Sequence, residues 1–198
     1  MNADFPVVLD TCVLVPAALC DTLLRLAERR LYLPRWSMQT TVELERALIA
    51  KIGLTPEKAR KPTSAIMDHF RNAIVSGSEV LIPAMLNDEK DRHVVAAAVR
   101  AGAEVVVTLN LKDFPRSALQ PFHVEARHPD GFLIELYDLS SELVIHSPAR
   151  IGQTIPPDLQ ERSREHSLLI LCGGRNEHVP RRDVGTLEHK TSLANTIN

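Results

Sequence analysis

Two short stretches, Val7-Val8-Leu9 and Val105-Val106-Val107, are apolar at every position rather than at every second one. A strand with one face in water alternates; a strand that is apolar throughout must be covered on both faces, as in a parallel sheet packed between helices. Each stretch is followed by polar residues, Asp10-Thr11 after the first and Thr108 with Asn110 and Asp113 after the second. In open parallel sheets ligands bind at the carboxyl ends of the strands, so acids at two such ends point to one site.

The remaining pattern supplies the covering helices. Ala17 to Arg30 carries Leu19, Leu23, Leu26 and Ala27 on one face and predicts a helix, followed by a short strand at Leu31-Tyr32-Leu33. A second helix starts near Ser37 and closes at Gly53. Thr55-Pro56-Glu57 then opens a third, with a capping residue before a proline at the first helical position, running to about Asn72. Glu79-Val80-Leu81-Ile82 reads as a strand before Pro83, a helix follows around Asp91, and Glu104 to Thr108 forms the next strand. His123-Val124-Glu125-Ala126 reads as a short edge strand. This alternation predicts an α/β fold, a three-layer α/β/α sandwich with a central parallel sheet.

One domain over residues 1–147 and a C-terminal extension over residues 148–198 is the simplest division of the 198 residues. Asp130 to Val144 reads as one more helix. Beyond Pro148 the chain is rich in Pro, Gly, Ser, Arg and Glu, apart from the apolar run Leu168-Leu169-Ile170-Leu171-Cys172. Arg175 to Asn198 shows no periodic core and reads as a flexible tail or partner-binding arm. Arg181-Arg182 reads as a solvated basic pair.

Composition narrows the classes of function. Aromatic residues make up 4% of the chain, too few for the base-stacking platforms of single-strand binding modules. The net charge of -2 and a pI near 6.4 give no global field toward nucleic acid or anionic membrane, so a polyanion would have to be held locally. Cys12, Cys20 and Cys172 are odd in number and lack disulfide or zinc spacing; they read as buried free thiols of a reducing compartment, Cys12 as small apolar packing. No secretory signal or membrane-length apolar run is present, so a soluble, cytoplasmic protein is expected.

The acids differ in how far the residues alone assign them. Val94, Val95 and Ala98 lie three, four and seven positions beyond Asp91, which puts Asp91 on the buried face of its helix, where a solvated acid would not sit. Asp88 and Glu89 instead suit the positive end of the helix dipole. In the Ser37 helix the apolar arc is Leu44, Leu48, Ile49 and Ile52; periodicity places Glu45 within it, not Glu43, and either could be a solvated acid pairing with Arg46 or Lys51.

Four segments together resemble the PIN domain family. Val7-Val8-Leu9-Asp10-Thr11-Cys12-Val13-Leu14 resembles its opening motif, Val42-Glu43-Leu44-Glu45-Arg46 its helical glutamate segment, Asp91-Arg92-His93-Val94-Val95-Ala96-Ala97-Ala98 its third motif, and Val107-Thr108-Leu109-Asn110-Leu111-Lys112-Asp113-Phe114-Pro115 its fourth. The resemblance covers residues 6 to about 135, and the whole pattern is similar to the VapC-like toxin branch. It implies a PIN-like fold and a metal-dependent endoribonuclease with an acidic pocket for Mg²⁺ or Mn²⁺. The implied metal and catalytic residues are Asp10, Glu43, Asp91 and Asp113, with Thr108 and Asn110 in support. The resemblance thus favours Glu43 where periodicity favours Glu45. It further implies an RNA substrate, a small antitoxin partner and a homodimer.

Hard-cation chemistry accounts for such a set. Mg²⁺ takes oxygen ligands and keeps several waters, so one or two direct carboxylates suffice, whereas acids clustered without a cation repel one another. Basic residues near the motifs, Arg35, Arg46, Arg92 and Lys112, read as surface charges, and His93 as structural. Two rivals stand beside this reading. A phosphatase of the haloacid-dehalogenase type needs a second acid two residues after its strand-end aspartate, and position 12 is Cys. A non-catalytic PIN-like interaction module would use the same acids to bind a partner.

Overall fold

The all-apolar first strand takes the middle of the sheet. In the computed structural model, which describes residues 5–139, β1 (Pro6–Leu9) is followed by α1 (Thr11–Leu14), α2 (Ala17–Glu28), β2 (Leu33–Ser37), α3 (Met38–Ile52), α4 (Pro56–His69) and β3 (Ile74–Val75). Then come α5 (Arg92–Ala101), β4 (Val105–Val107), α6 (Arg116–Leu119), β5 (Glu125–Arg127) and α7 (Pro129–Leu139). Short 3-10 turns occupy Glu79–Ala84, Glu89–Asp91 and Leu111–Asp113. The strands stand in the order β3-β2-β1-β4-β5 and every pair is parallel, as the apolar runs require.

Alternate residues of the central strands feed two separate cores. Val7, Leu9 and Val107 pack with Leu23, Leu26, Leu44, Leu48 and Phe132, drawn from α2, α3 and α7. Val8 and Val106 face the other way, onto Val94, Val95, Ala98, Phe114 and Leu119 of α5, α6 and their connections. Val7, Val8, Leu9, Val106 and Val107 are wholly buried. Hydrophobic burial of this kind is the main favourable term in folding, and here it holds both faces of the central strands, after which Asp10 and Asp113 follow.

The caps follow the sequence. Ser37 accepts a hydrogen bond from Thr40 N at the start of α3, and Gly53 closes that helix with φ 74°. Thr55 caps α4 ahead of Pro56. Asp88 accepts from Lys90 N and caps the 3-10 turn before α5.

Three expected elements differ. Glu79 to Ile82 is not a strand but part of a 3-10 turn; Pro83 lies within it and Val80 is 80% exposed, while Leu81 and Ile82 pack toward the α5 core. The third strand is instead Ile74–Val75, two residues long and too short to stand out as an apolar run. The second strand begins at Leu33, not Leu31, and runs to Ser37 through Pro34. Leu33 N donates to Phe5 O, so the next position faces away from β1; β3 pairs only with Trp36 and Ser37, and the proline's missing N–H breaks no ladder bond. The last strand is Glu125–Arg127 rather than 123–126, because His123 turns into the left-handed region at φ 56°. The helix expected from Asp130 to Val144 is α7 as far as Leu139. Its remainder, the 147/148 boundary and the C-terminal extension lie outside the described residues.

Candidate active site

The strand order reverses between β1 and β4, which run outward to β2 and β5 respectively. A crevice opens at the carboxyl ends of the strands where order reverses. Asp10 leaves β1 there, Thr108 leaves β4, and Asp10 N donates to Val107 O at 3.1 Å to join the two ends. Asp10 is 6% exposed. Its Oδ2 accepts from Thr108 Oγ1 at 2.7 Å and lies 3.0 Å from Cys12 Sγ, which donates to it.

Asp91 enters from the opposite layer. It takes the N-cap position of α5 without making a side-chain cap hydrogen bond. Its side chain is 14% exposed, consistent with the inward direction read from Val94, Val95 and Ala98. Burial pushes the Asp91 carboxyl up to about 7, and the charges of Asp10 and Asp113 push the same way, against the pull of Lys90. Three carboxylates from three distant segments therefore feel one another in a partly desolvated pocket.

Asp113 closes the turn after β4 and is 9% exposed. Lys90 Nζ sits 2.6 Å from its Oδ2, and the Asn110 amide donates to the same oxygen. The lysine first, and Asn110 with it, hold Asp113 below the usual carboxylate range. Thr108 and Asn110 thus each donate a hydrogen bond to an acid, Asp10 and Asp113 respectively.

Glu43 and Glu45 flank Leu44 on opposite sides of α3. Glu45 lies 3.6 Å from Arg60 of α4, away from the crevice. Glu43 turns toward it: Thr11 Oγ1 donates to Oε2 at 2.8 Å, Gln39 Nε2 to Oε1 at 3.1 Å, and His93 Nε2 lies 3.1 Å from Oε1 without an aligned hydrogen bond. Half-burial raises the Glu43 carboxyl, but His93, Thr11 and Gln39 outweigh it and hold the group low. His93 is 2% exposed, and its Nδ1 shares a hydrogen bond of 2.7 Å with Ser37 Oγ, the cap of α3.

Sequence reasoning missed Lys90, and it gave Thr11, Cys12 and His93 no polar role. Thr11 and Cys12 adjoin a strand-end acid and Lys90 adjoins Asp91, which was the available signal; only the fold brings Lys90 to Asp113 as well. Arg92 is engaged at the rim, its Nε donating to Asn87 O at 3.3 Å.

Among the described residues no group of three or more His, Cys, Asp or Glu side chains is gathered tightly enough to cage a metal ion. The donor set still fits a hard cation that keeps its waters, since Mg²⁺ takes only one or two carboxylates directly. Mutual repulsion of Asp10, Asp91 and Asp113 is what such a cation relieves. A separate apolar groove of about 360 Å³ lies between α2, α3 and α4, lined by Leu24, Leu44, Leu48, Ile66 and Phe70 among others; it holds none of the four acids.

Comparison with known proteins agrees with this architecture. Residues 6–112 match the family model described as PIN domain, a match that stops one residue before Asp113. Over 108 residues the chain is 56% identical to "Putative ribonuclease VapC50" of Mycobacterium tuberculosis (strain ATCC 25618 / H37Rv). The overlap takes in 54% of this chain and 60% of that protein, so the chain spans about three-fifths of the length of the curated relative it matches. No solved structure matches the chain at a significant level.

Proposed function

This chain belongs to the PIN domain family, and from that premise we propose that it is a divalent-metal-dependent endoribonuclease hydrolysing RNA phosphodiester bonds, the toxin of a two-component toxin–antitoxin pair. The observation that carries the reading is the convergence of Asp10, Asp91 and Asp113: burial first, and then the charges of Asp10 and Asp113, push the Asp91 carboxyl up to about 7. An interaction surface has no need of acids that repel one another.

Asp10, Asp91 and Asp113 would hold Mg²⁺ or Mn²⁺, with Glu43 at the flank to position metal or water. When bound, such a cation polarises the scissile phosphate, acidifies a water and stabilises the leaving oxygen. Asp10 is fixed by donors on one oxygen. Glu43 is kept ionised by its three neighbours and so is ready to orient a water. Thr108 and Asn110 keep the carboxylates of Asp10 and Asp113 in place.

The relative's printed name supports RNA as substrate. The apolar groove between α2, α3 and α4 supports a small protein partner that buries an apolar segment there. A homodimer and a cytoplasmic location complete the proposal; among the described residues no helix is long and apolar enough to cross a membrane.

The decisive experiment is Asp10→Asn on the purified full chain, assayed with single-stranded RNA, structured RNA and single-stranded DNA with and without Mg²⁺. Metal-dependent RNA cleavage by the parent and its loss in the variant are expected. Undiminished cleavage in Asp10→Asn sinks the assignment, and no cleavage by the parent on any substrate favours the interaction module.

A further inference from the structure

The reading of Cys12 as apolar packing does not account for its hydrogen bonds. Its Sγ accepts from Leu109 N at 3.1 Å and donates to Asp10 Oδ2 at 3.0 Å. Thr108 repeats that pattern: Oγ1 accepts from Asn110 N at 3.0 Å and donates to the same Asp10 oxygen at 2.7 Å. Sγ and Oγ1 are themselves 3.3 Å apart. Each group thus takes a backbone N–H from the turn after β4, which leaves its own hydrogen to point at Asp10.

The result is asymmetric. Oδ2 of Asp10 receives two donors, while Oδ1 receives none among the described residues. A carboxylate held this way cannot rotate without breaking two bonds, and each bond is anchored to the end of β4. Cys12 stands at the first turn of α1 and Leu109 beyond β4, 97 positions away. The thiol therefore also fixes how the two strand ends meet.

We propose that Cys12 is a positioning residue of the acidic site, whose thiol joins the Thr108 hydroxyl in fixing one oxygen of Asp10 so that the other is presented to a divalent cation. This rests on the metal-dependent reading above and adds a residue that reading does not use. Removing the S–H donor leaves Thr108 as the single tether of Oδ2 and frees the carboxylate to rotate, which spreads its oxygens over several orientations and weakens the cation site. A side chain that only filled space would behave otherwise, because valine and alanine keep the apolarity on either side of cysteine in bulk, whereas serine keeps the donor and the acceptor but loses volume.

The test is Mn²⁺ binding by calorimetry on the full chain, comparing the parent with Cys12→Ser, Cys12→Val and Cys12→Ala, each checked for its unfolding midpoint. Positioning predicts that Cys12→Val and Cys12→Ala raise the Mn²⁺ Kd at least about tenfold while Cys12→Ser stays within about threefold of the parent, whatever the order of their stabilities. Parent-like affinity in Cys12→Val, or an equal loss in Cys12→Ser, overturns the inference and leaves the functional reading standing. A parent chain that takes up no Mn²⁺ overturns the functional reading, and this inference with it. If Cys12→Val does not fold, the Cys12→Ala against Cys12→Ser comparison decides alone.

Discussion

Lys90 Nζ stands 2.6 Å from Asp113 Oδ2 and 4.0 Å from Asp91 Oδ2, although its side chain is 62% exposed. A tethered ammonium thus sits against two of the carboxylates assigned to a cation. On the metal-dependent reading proposed above, the lysine and a divalent ion would compete for the same oxygens. Lys90→Gln removes the competitor and is expected to tighten Mn²⁺ binding by about threefold to tenfold, a range suited to a solvent-screened charge. Calorimetric titration of the two chains checks it, and weaker binding in the variant would mean that Lys90 supports the site instead.

Asp91 gives a stability prediction with a definite sign. Its carboxyl is pushed up to about 7 in the folded chain, first by burial and then by Asp10 and Asp113, against an ordinary value of 3.8. The folded state therefore holds the proton more tightly than the unfolded one. Stability from this group is fully present below about pH 4 and is lost as pH rises through about 7. In chelator, Asp91→Asn is expected to unfold about 3 °C above the parent at pH 8 and to show no such advantage at pH 4. After allowance for solvent at the rim, the difference corresponds to about 1 kcal/mol. Thermal scans at the two pH values decide it, and added Mg²⁺ should raise the parent more than the variant.

The contrast between these acids shows what was legible before the fold was known. Asp10 was legible because the run before it is apolar at every position, a local pattern that already implies cover on both faces. Asp91 was legible from its spacing to Val94, Val95 and Ala98. The choice between Glu43 and Glu45 was not legible from periodicity, which placed Glu45 within the apolar arc although both side chains are equally exposed in the fold, at 29%; the motif resemblance alone favoured Glu43. Their surroundings come from elsewhere in the chain: Arg60 for one, Thr11 and His93 for the other. Ile74–Val75 was hidden by its length, and Val80, Leu81 and Ile82 imitated a strand because a 3-10 turn that packs one side also needs apolar residues. Cys12 packs against the core as expected; what the sequence did not show is the engagement of its thiol by Thr108 and Leu109, nearly a hundred positions on.

That difference in partners makes a paired mutational test. Glu43→Gln keeps the shape but removes the charge that Thr11 and His93 surround, and RNA cleavage should fall by at least about 100-fold, the usual scale for losing a group that orients or deprotonates a water. Glu45→Gln loses only an exposed ion pair with Arg60 and should cleave within about twofold of the parent. Single-turnover rates on one RNA compare them directly. The reverse order would move the site's second acid to Glu45.

Ser37 joins the stability of α3 to the placement of Glu43. Its hydroxyl accepts from Thr40 N at 3.1 Å, which caps the helix, and shares a 2.7 Å hydrogen bond with His93 Nδ1. His93 in turn touches Glu43 through Nε2. Ser37 is 3% exposed, so water cannot replace what its removal leaves unpaired. Ser37→Ala is expected to cost about 1–2 kcal/mol of stability by denaturant titration, the range for a lost cap. It should also lower cleavage, because the freed imidazole no longer fixes the Glu43 carboxylate. Thr55→Ala supplies the control: Thr55 caps α4 through Lys58 N at 3.4 Å, its contact is exposed, and it has no link to the acids. It should lower stability by no more than Ser37→Ala while leaving the cleavage rate unchanged. Equal effects of the two substitutions on cleavage would show that Ser37 acts through stability alone.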